Sequence, residues 1–123
     1  MGRRLRSQPN PSRAYSEAVK AVEEAALPIV LPNDKSATLG KVIGELRATP
    51  SAWQCIFARD SKMTPTTAVT PIEVVIGMLD LIWANQTDRH APITPIVQEQ
   101  AESAVQLALA LVELFRSGAI SKP

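Results

Sequence analysis

Four polar residues crowd one short stretch of the chain: Asn85, Asp88, Arg89 and His90, the last being the only histidine present. An imidazole titrates near neutrality and can move a proton, and a guanidinium can stabilise the charge of a phosphorane. Asp88 or Asn85 could orient the ring. Together these types suit RNA cleavage without a metal, with His90 as general base and Arg89 as charge stabiliser. Adjacent loop residues do not automatically point the same way, so two copies meeting across a twofold axis would complete such a site. A second reading is a metal site through His90 and Asp88. One histidine and one carboxylate fall short of the three or four protein ligands a zinc site uses, so neither metal nor cofactor is expected. A third reading is structural: Asp88 starts a turn, and Arg89 and His90 sit at the negative C-terminal end of the preceding helix.

What must position these residues is written on both sides of them. Thr70-Pro-Ile-Glu73 is a capping box with proline at the first helical position, followed by an apolar stripe of Ile72, Val75, Ile76, Leu79, Ile82 and Trp83. Past His90, Thr94-Pro95 predicts the start of a fourth helix, with Val97, Ala101, Ala104, Ala108, Leu111, Val112 and Phe115 inward and Gly118 as its stop. Val105, Leu107, Leu109 and Leu114 widen that stripe. A helix apolar over so much of its surface is either central or also faces another subunit.

Upstream, Asn10-Pro11 caps a first helix carrying Tyr15, Ala18, Val19, Val22, Ala25, Ala26 and Ile29 at helical spacing; Pro28 is expected to end or kink it near Leu27. Pro32-Asn-Asp34 is a turn. A second helix begins at Thr38 with Leu39, Val42, Ile43 and Leu46 on one side. Gly40 and Gly44, one turn apart, suggest close approach by a neighbouring backbone. Residues 51–57 predict a short extra helical turn that packs Trp53, Ile56 and Phe57 on the bundle, and residues 58–69 predict a loop. No strand pattern emerges. The expected fold is all-α: an antiparallel four-helix bundle with a short extra helical turn.

Length and composition agree. The 123 residues suit one domain, 46% hydrophobic and 20% charged, with a core built from aliphatic side chains because aromatics are 4%. Residues 1–9 predict a flexible basic arm and residues 10–123 a single helical domain. Arg3, Arg4, Arg6 and Arg13 precede any acid, leaving nine basic against twelve acidic residues in the remainder. A basic arm ahead of a mildly acidic body is able to touch RNA or an acidic partner. No aromatic residue interleaves with these arginines before Tyr15, so base stacking is missing there. Cys55 is the only cysteine, which excludes an intramolecular disulfide and a multi-cysteine zinc site; its apolar setting predicts a buried, inert thiol. The start lacks a signal-peptide apolar core, and the most apolar run, residues 104–112, is shorter than the ~20 residues that cross a bilayer. A cytoplasmic protein without a membrane role is the expectation.

The order of features resembles the abortive-infection C-terminal domain group of the HEPN superfamily of small helical bundles. The matching pieces are Tyr15-Ser-Glu-Ala-Val-Lys-Ala-Val-Glu23, Thr38-Leu-Gly-Lys-Val-Ile-Gly-Glu-Leu46, and the polar loop from Asn85 to His90, together spanning residues 12–117. The resemblance implies a homodimer whose loops after the third helix meet in a cleft, and metal-independent RNA cleavage in active members. It also implies a setting within a larger phage-defence or toxin-type protein. Active members carry an Arg four to six positions before the His; here those positions hold Gln86, Asn85 and Ala84, and the arginine stands at Arg89. Asn85 matches the polar residue of that pattern. The departure leaves open an RNA-binding or degenerate ribonuclease on one side. On the other stands a noncatalytic helical module for protein partners or oligomerisation.

Overall fold

A computed structural model describes residues 10–58, 69–86 and 95–123 of the chain. Its four α-helices start largely where the sequence supplies caps. In α1 (Pro11–Val30) the Asn10 side chain accepts from the Arg13 amide at 3.2 Å, and proline occupies the first turn. In α3 (Pro71–Ala84) both halves of the capping box form: Thr70 Oγ1 accepts from the Glu73 amide at 3.3 Å, and Glu73 Oε1 accepts from the Thr70 amide at 2.8 Å.

The other two starts differ from the sequence reading. Thr38 precedes α2 (Leu39–Ala48) but gives no side-chain cap. The cap comes from α1, where Glu23 Oε2 accepts from the Leu39 amide at 2.8 Å. The fourth helix, α4 (Gln98–Arg116), begins at Gln98 rather than at Pro95. Ile96 is buried, Val97 is extended at φ −90° and ψ 162°, and the Gln100 side chain accepts from the Val97 amide at 3.0 Å. Burial of Ile96 thus holds the entry segment extended, and the cap is set two residues past the proline.

Nor does Pro28 stop α1, which runs on to Val30. The missing N–H falls in the last turns, where only one ladder bond is at stake, and buried Val30 anchors the end. Between α2 and α3 the expected single turn is subdivided. A turn of 3-10 helix (Pro50–Ala52) leads to β1 (Gln54–Cys55) and a second 3-10 turn (Ile56–Ala58). Trp53 and Cys55 are buried, but Ile56 and Phe57 face outward, against the expectation that they pack on the bundle. After α4, Gly118 adopts φ +84°, and the chain reverses into β2 (Ile120–Ser121). The two strands pair antiparallel, Gln54 opposite Ser121 and Cys55 opposite Ile120. Two-residue strands carry no readable alternation, so the pairing was invisible in the sequence.

The fold is mostly helical around one aliphatic core, with Leu39, Leu46, Leu79, Ile82, Leu111 and Phe115 among its fully buried side chains. Each such aliphatic side chain contributes ~1.5–3 kcal/mol by leaving water. The α1–α4 contact is the most extensive between helices, helped by small buried residues: Ala18 and Ala26 on α1, Ala101, Ala104 and Ala108 on α4. The Tyr15 hydroxyl donates to the Ile82 carbonyl at 2.6 Å, so α1 begins beside the last turn of α3. A cavity shared by Tyr15, Ile82, Glu99 and Ser103 puts the first turns of α4 there too. Long helices α1 and α4 therefore start at one end and run parallel, where the sequence reading expected an antiparallel bundle throughout, and α3 finishes at that end. The opposite end holds the β1–β2 pair and the start of α3.

Candidate functional site

The sequence points to the end of α3, and three contacts fix that end. The first is the Tyr15–Ile82 hydrogen bond, buried and spanning 67 positions of sequence. The second is Trp83, whose indole lies over α2 so closely that a Cβ on Gly40 would come within 2.9 Å of Nε1. Close approach at Gly40 is thus by a side chain rather than a backbone, and Gly44 has nothing within 4 Å. The third is the exposed Arg47–Asp80 ion pair at 3.7 Å, which joins α2 to α3.

Asn85 is the C-terminal cap of α3, and its Nδ2 donates to the Leu81 carbonyl at 2.8 Å. That bond satisfies one of the carbonyls left over at a helix end, so the side chain is engaged in ending the helix. Gln86 follows, its amide N–H donating to the Trp83 carbonyl at 3.3 Å and its side chain buried. A buried amide at this exit went unnoticed in the sequence, where a polar residue after a helix reads as solvated. Asp88, Arg89 and His90 lie outside the described residues, as does Thr94, so the chemistry assigned to them has no geometry here. Pro95 is the next described residue, and Ile96 after it is buried.

Beside this end lies a groove of about 340 Å³ between α1, α3 and α4. Tyr15, Leu81, Ile82 and Leu107 make its apolar wall, while Asn85 and Glu99 bring polar groups to it. It is a surface for apolar contact more than for a phosphate, since its charged side chain is acidic. A larger cavity of about 520 Å³ sits at the other end, among Trp53, Cys55, Pro71 and Ala119. The Trp53 indole N–H is buried without a hydrogen-bond partner among the described residues, and the Lys122 ammonium lies 5.6 Å from the ring centroid. Cys55 is a buried free thiol there, as its apolar neighbours foretold. The length of α3, ~20 Å at 1.5 Å per residue, separates it from the Asn85 end.

Among the described residues two carboxylates titrate below their ordinary range, and neither lies beside the end of α3. Asp34 is lowered chiefly by the Lys41 ammonium that hydrogen-bonds it, with help from the Ser36 amide. Glu73 is lowered by accepting from the Thr70 amide and hydroxyl. Both serve local turns. Among the described residues no group of three or more His, Cys, Asp or Glu could hold a metal ion, and no helix is long and apolar enough to cross a membrane. Compared with protein-family models, curated proteins and solved structures, the chain matches none.

Proposed function

We propose that this domain is a noncatalytic helical interaction module, binding protein surfaces through the outward faces of α3 and α4. The observation that carries this reading is the exposure of large apolar side chains on those faces. On α3, Val74 is 50% and Leu81 58% exposed at helical spacing, and on α4 Leu109 is 66% exposed. Large apolar side chains left in water on a helix surface are available for contact with a partner. The polar groups of the groove beside Asn85 fit the rim of such a contact.

Site-specific photo-crosslinking in cells tests it. A crosslinker at position 81 or 109 is expected to capture protein, and one at Lys20 on the polar face of α1 is not. Equal yields at all three positions would remove the interaction reading.

A second reading keeps the HEPN-like expectation: a dimeric, RNA-binding or degenerate metal-independent ribonuclease of a phage-defence or toxin-type protein. What favours it is the firm anchoring of the α3 end by Tyr15 and Trp83, since a catalytic loop must be delivered from a rigid element. In that reading His90 is the general base, Arg89 stabilises charge, and Asp88 and Asn85 orient them. Total RNA incubated with the protein in EDTA, beside a His90→Ala variant, decides it. Cleavage abolished by the substitution supports catalysis; absent or unaffected cleavage removes His90 from that role.

A further inference from the structure

Gln98, Glu102, Val105, Leu109, Val112 and Arg116 follow one another along α4 at alternating spacings of four and three residues. They make one row up the side of the helix, apolar at its middle in Val105, Leu109 and Val112 and polar at both ends. The seam runs beside the buried stripe of Ala101, Ala104, Ala108, Leu111 and Phe115 and is not part of it. Leu109 and Val105 are exposed at its centre, at 66% and 37%, and Val112 is half-buried next to them. Groove residue Leu107 lies on the other flank of the helix, so the seam and the groove are separate surfaces.

The ends of the seam carry opposite charge. Glu102 and Arg116 each stand seven residues from Leu109. Arg116 makes no ion pair among the described residues, and Glu102 has only the neutral Gln98 amide, at 3.0 Å. The helix dipole accounts for an acid near the start and a base near the end. It does not account for exposed Val105 and Leu109 between them.

We propose that this seam is a self-association surface on which a second copy of the chain docks antiparallel, Leu109 at the centre and Glu102 of each helix beside Arg116 of the other. A parallel copy would set Glu102 on Glu102 and Arg116 on Arg116. The antiparallel copy forms both opposite-charge pairs at once, because the two residues are equidistant from the centre, and a twofold axis makes the contact close on itself. This names the partner for α4 within the interaction-module reading and rests on it. The buried area is small, on the order of 1,000 Å² or less, so the dimer is weak and its dissociation constant micromolar or above. The Gln98 ends of the two helices lie at opposite ends of the pair, ~28 Å apart by helix length.

Sedimentation equilibrium of the full chain over a wide concentration range tests the proposal. The expected result is a reversible monomer–dimer equilibrium, weakened about tenfold or more by Leu109→Asp and unchanged by Lys20→Asp on the polar face of α1. Glu102→Arg and Arg116→Glu should each weaken it, and the double variant E102R/R116E should restore it. Unfolding of a variant is detected by circular dichroism; if Leu109→Asp unfolds, the two charge variants and their double carry the test. A monomer at every concentration overturns the proposal, as does indifference to Leu109→Asp or a double variant no better than the singles. The two readings remain separable. If a crosslinker at position 81 or 109 captures a different protein while the chain stays monomeric, the interaction module stands and self-association falls; if neither position captures protein and the chain stays monomeric, both fall.

Discussion

α1 and α3 both open on a capped proline and both bury one apolar stripe, but their outer faces differ. Outward on α1 stand Lys20, Glu24 and the Arg13–Glu17 pair at 3.1 Å. Outward on α3 stand Val74, Gly77 and Leu81. Folding needs only the inner stripes, which are similar in kind: Tyr15, Val19 and Val22 against Ile72, Ile76 and Leu79. The polar outer face of α1 is what a helix in water ordinarily shows, and the apolar one of α3 is surplus to the fold. The difference separates residues held by stability from residues available to function.

Substitution can sharpen that contrast, most of all within α3 itself. Leu79→Ala should cost ~2–5 kcal/mol in urea unfolding, because it empties a fully buried site. Leu81→Ala, two residues on and exposed, should change stability by no more than ~0.5 kcal/mol. A large loss at Leu81 would mean that the outer face belongs to the fold, and the contrast would fail.

Tyr15→Phe comes next. It leaves the buried Ile82 carbonyl without its donor and should cost ~1–3 kcal/mol, measured the same way. The same hydroxyl is what fastens α1 to the end of α3, so amide exchange in the last turn of α3 should quicken.

Smaller effects are expected where local geometry decides. Thr70→Ala should cost about 1 kcal/mol and so should Asn10→Ala, the two helix starts being alike where the outer faces are not. Gly44→Ala should stabilise by up to ~1 kcal/mol, since nothing lies within 4 Å and alanine favours helix. Gly40→Ala should lose that gain against the Trp83 indole. A gain at Gly44 and none at Gly40 one turn away, read from melting curves, would confirm that Trp83 of α3 presses on α2 at one point.

The smallest effect is on acidity. The folded pKa of Glu73 is lowered, so its contribution is fully present above the unfolded carboxyl pKa and is lost as pH falls through the folded one. By NMR titration Glu73 should protonate at lower pH than a glutamate in the unfolded chain. Coincident titration would mean that the capping box is not closed in solution.

Much of the fold was legible because its signals are short-range. Asn10 and Thr70 reach amides three residues on, and a stripe such as Val42, Ile43 and Leu46 repeats within one helix. The site was legible only as a location. Residue types singled out the segment after α3, and Asn85 proved to be bound to Leu81 as a cap, a use that neighbouring sequence does not distinguish from orienting a catalyst. Ile56 and Phe57 were misjudged because apolar character predicts burial only on average.

By itself, then, the sequence determined four amphipathic or apolar helices, three of their punctuating residues, and a polar segment worth inspecting. Only the tertiary structure decided that Glu23 of α1 caps α2, that Trp83 closes over Gly40, that Tyr15 holds Ile82, and that Cys55 pairs with Ile120. It also decided which apolar residues stay outside. The physical reason is range: a cap or a stripe is fixed by neighbours a few residues away, whereas these contacts join groups brought together only when the core closes.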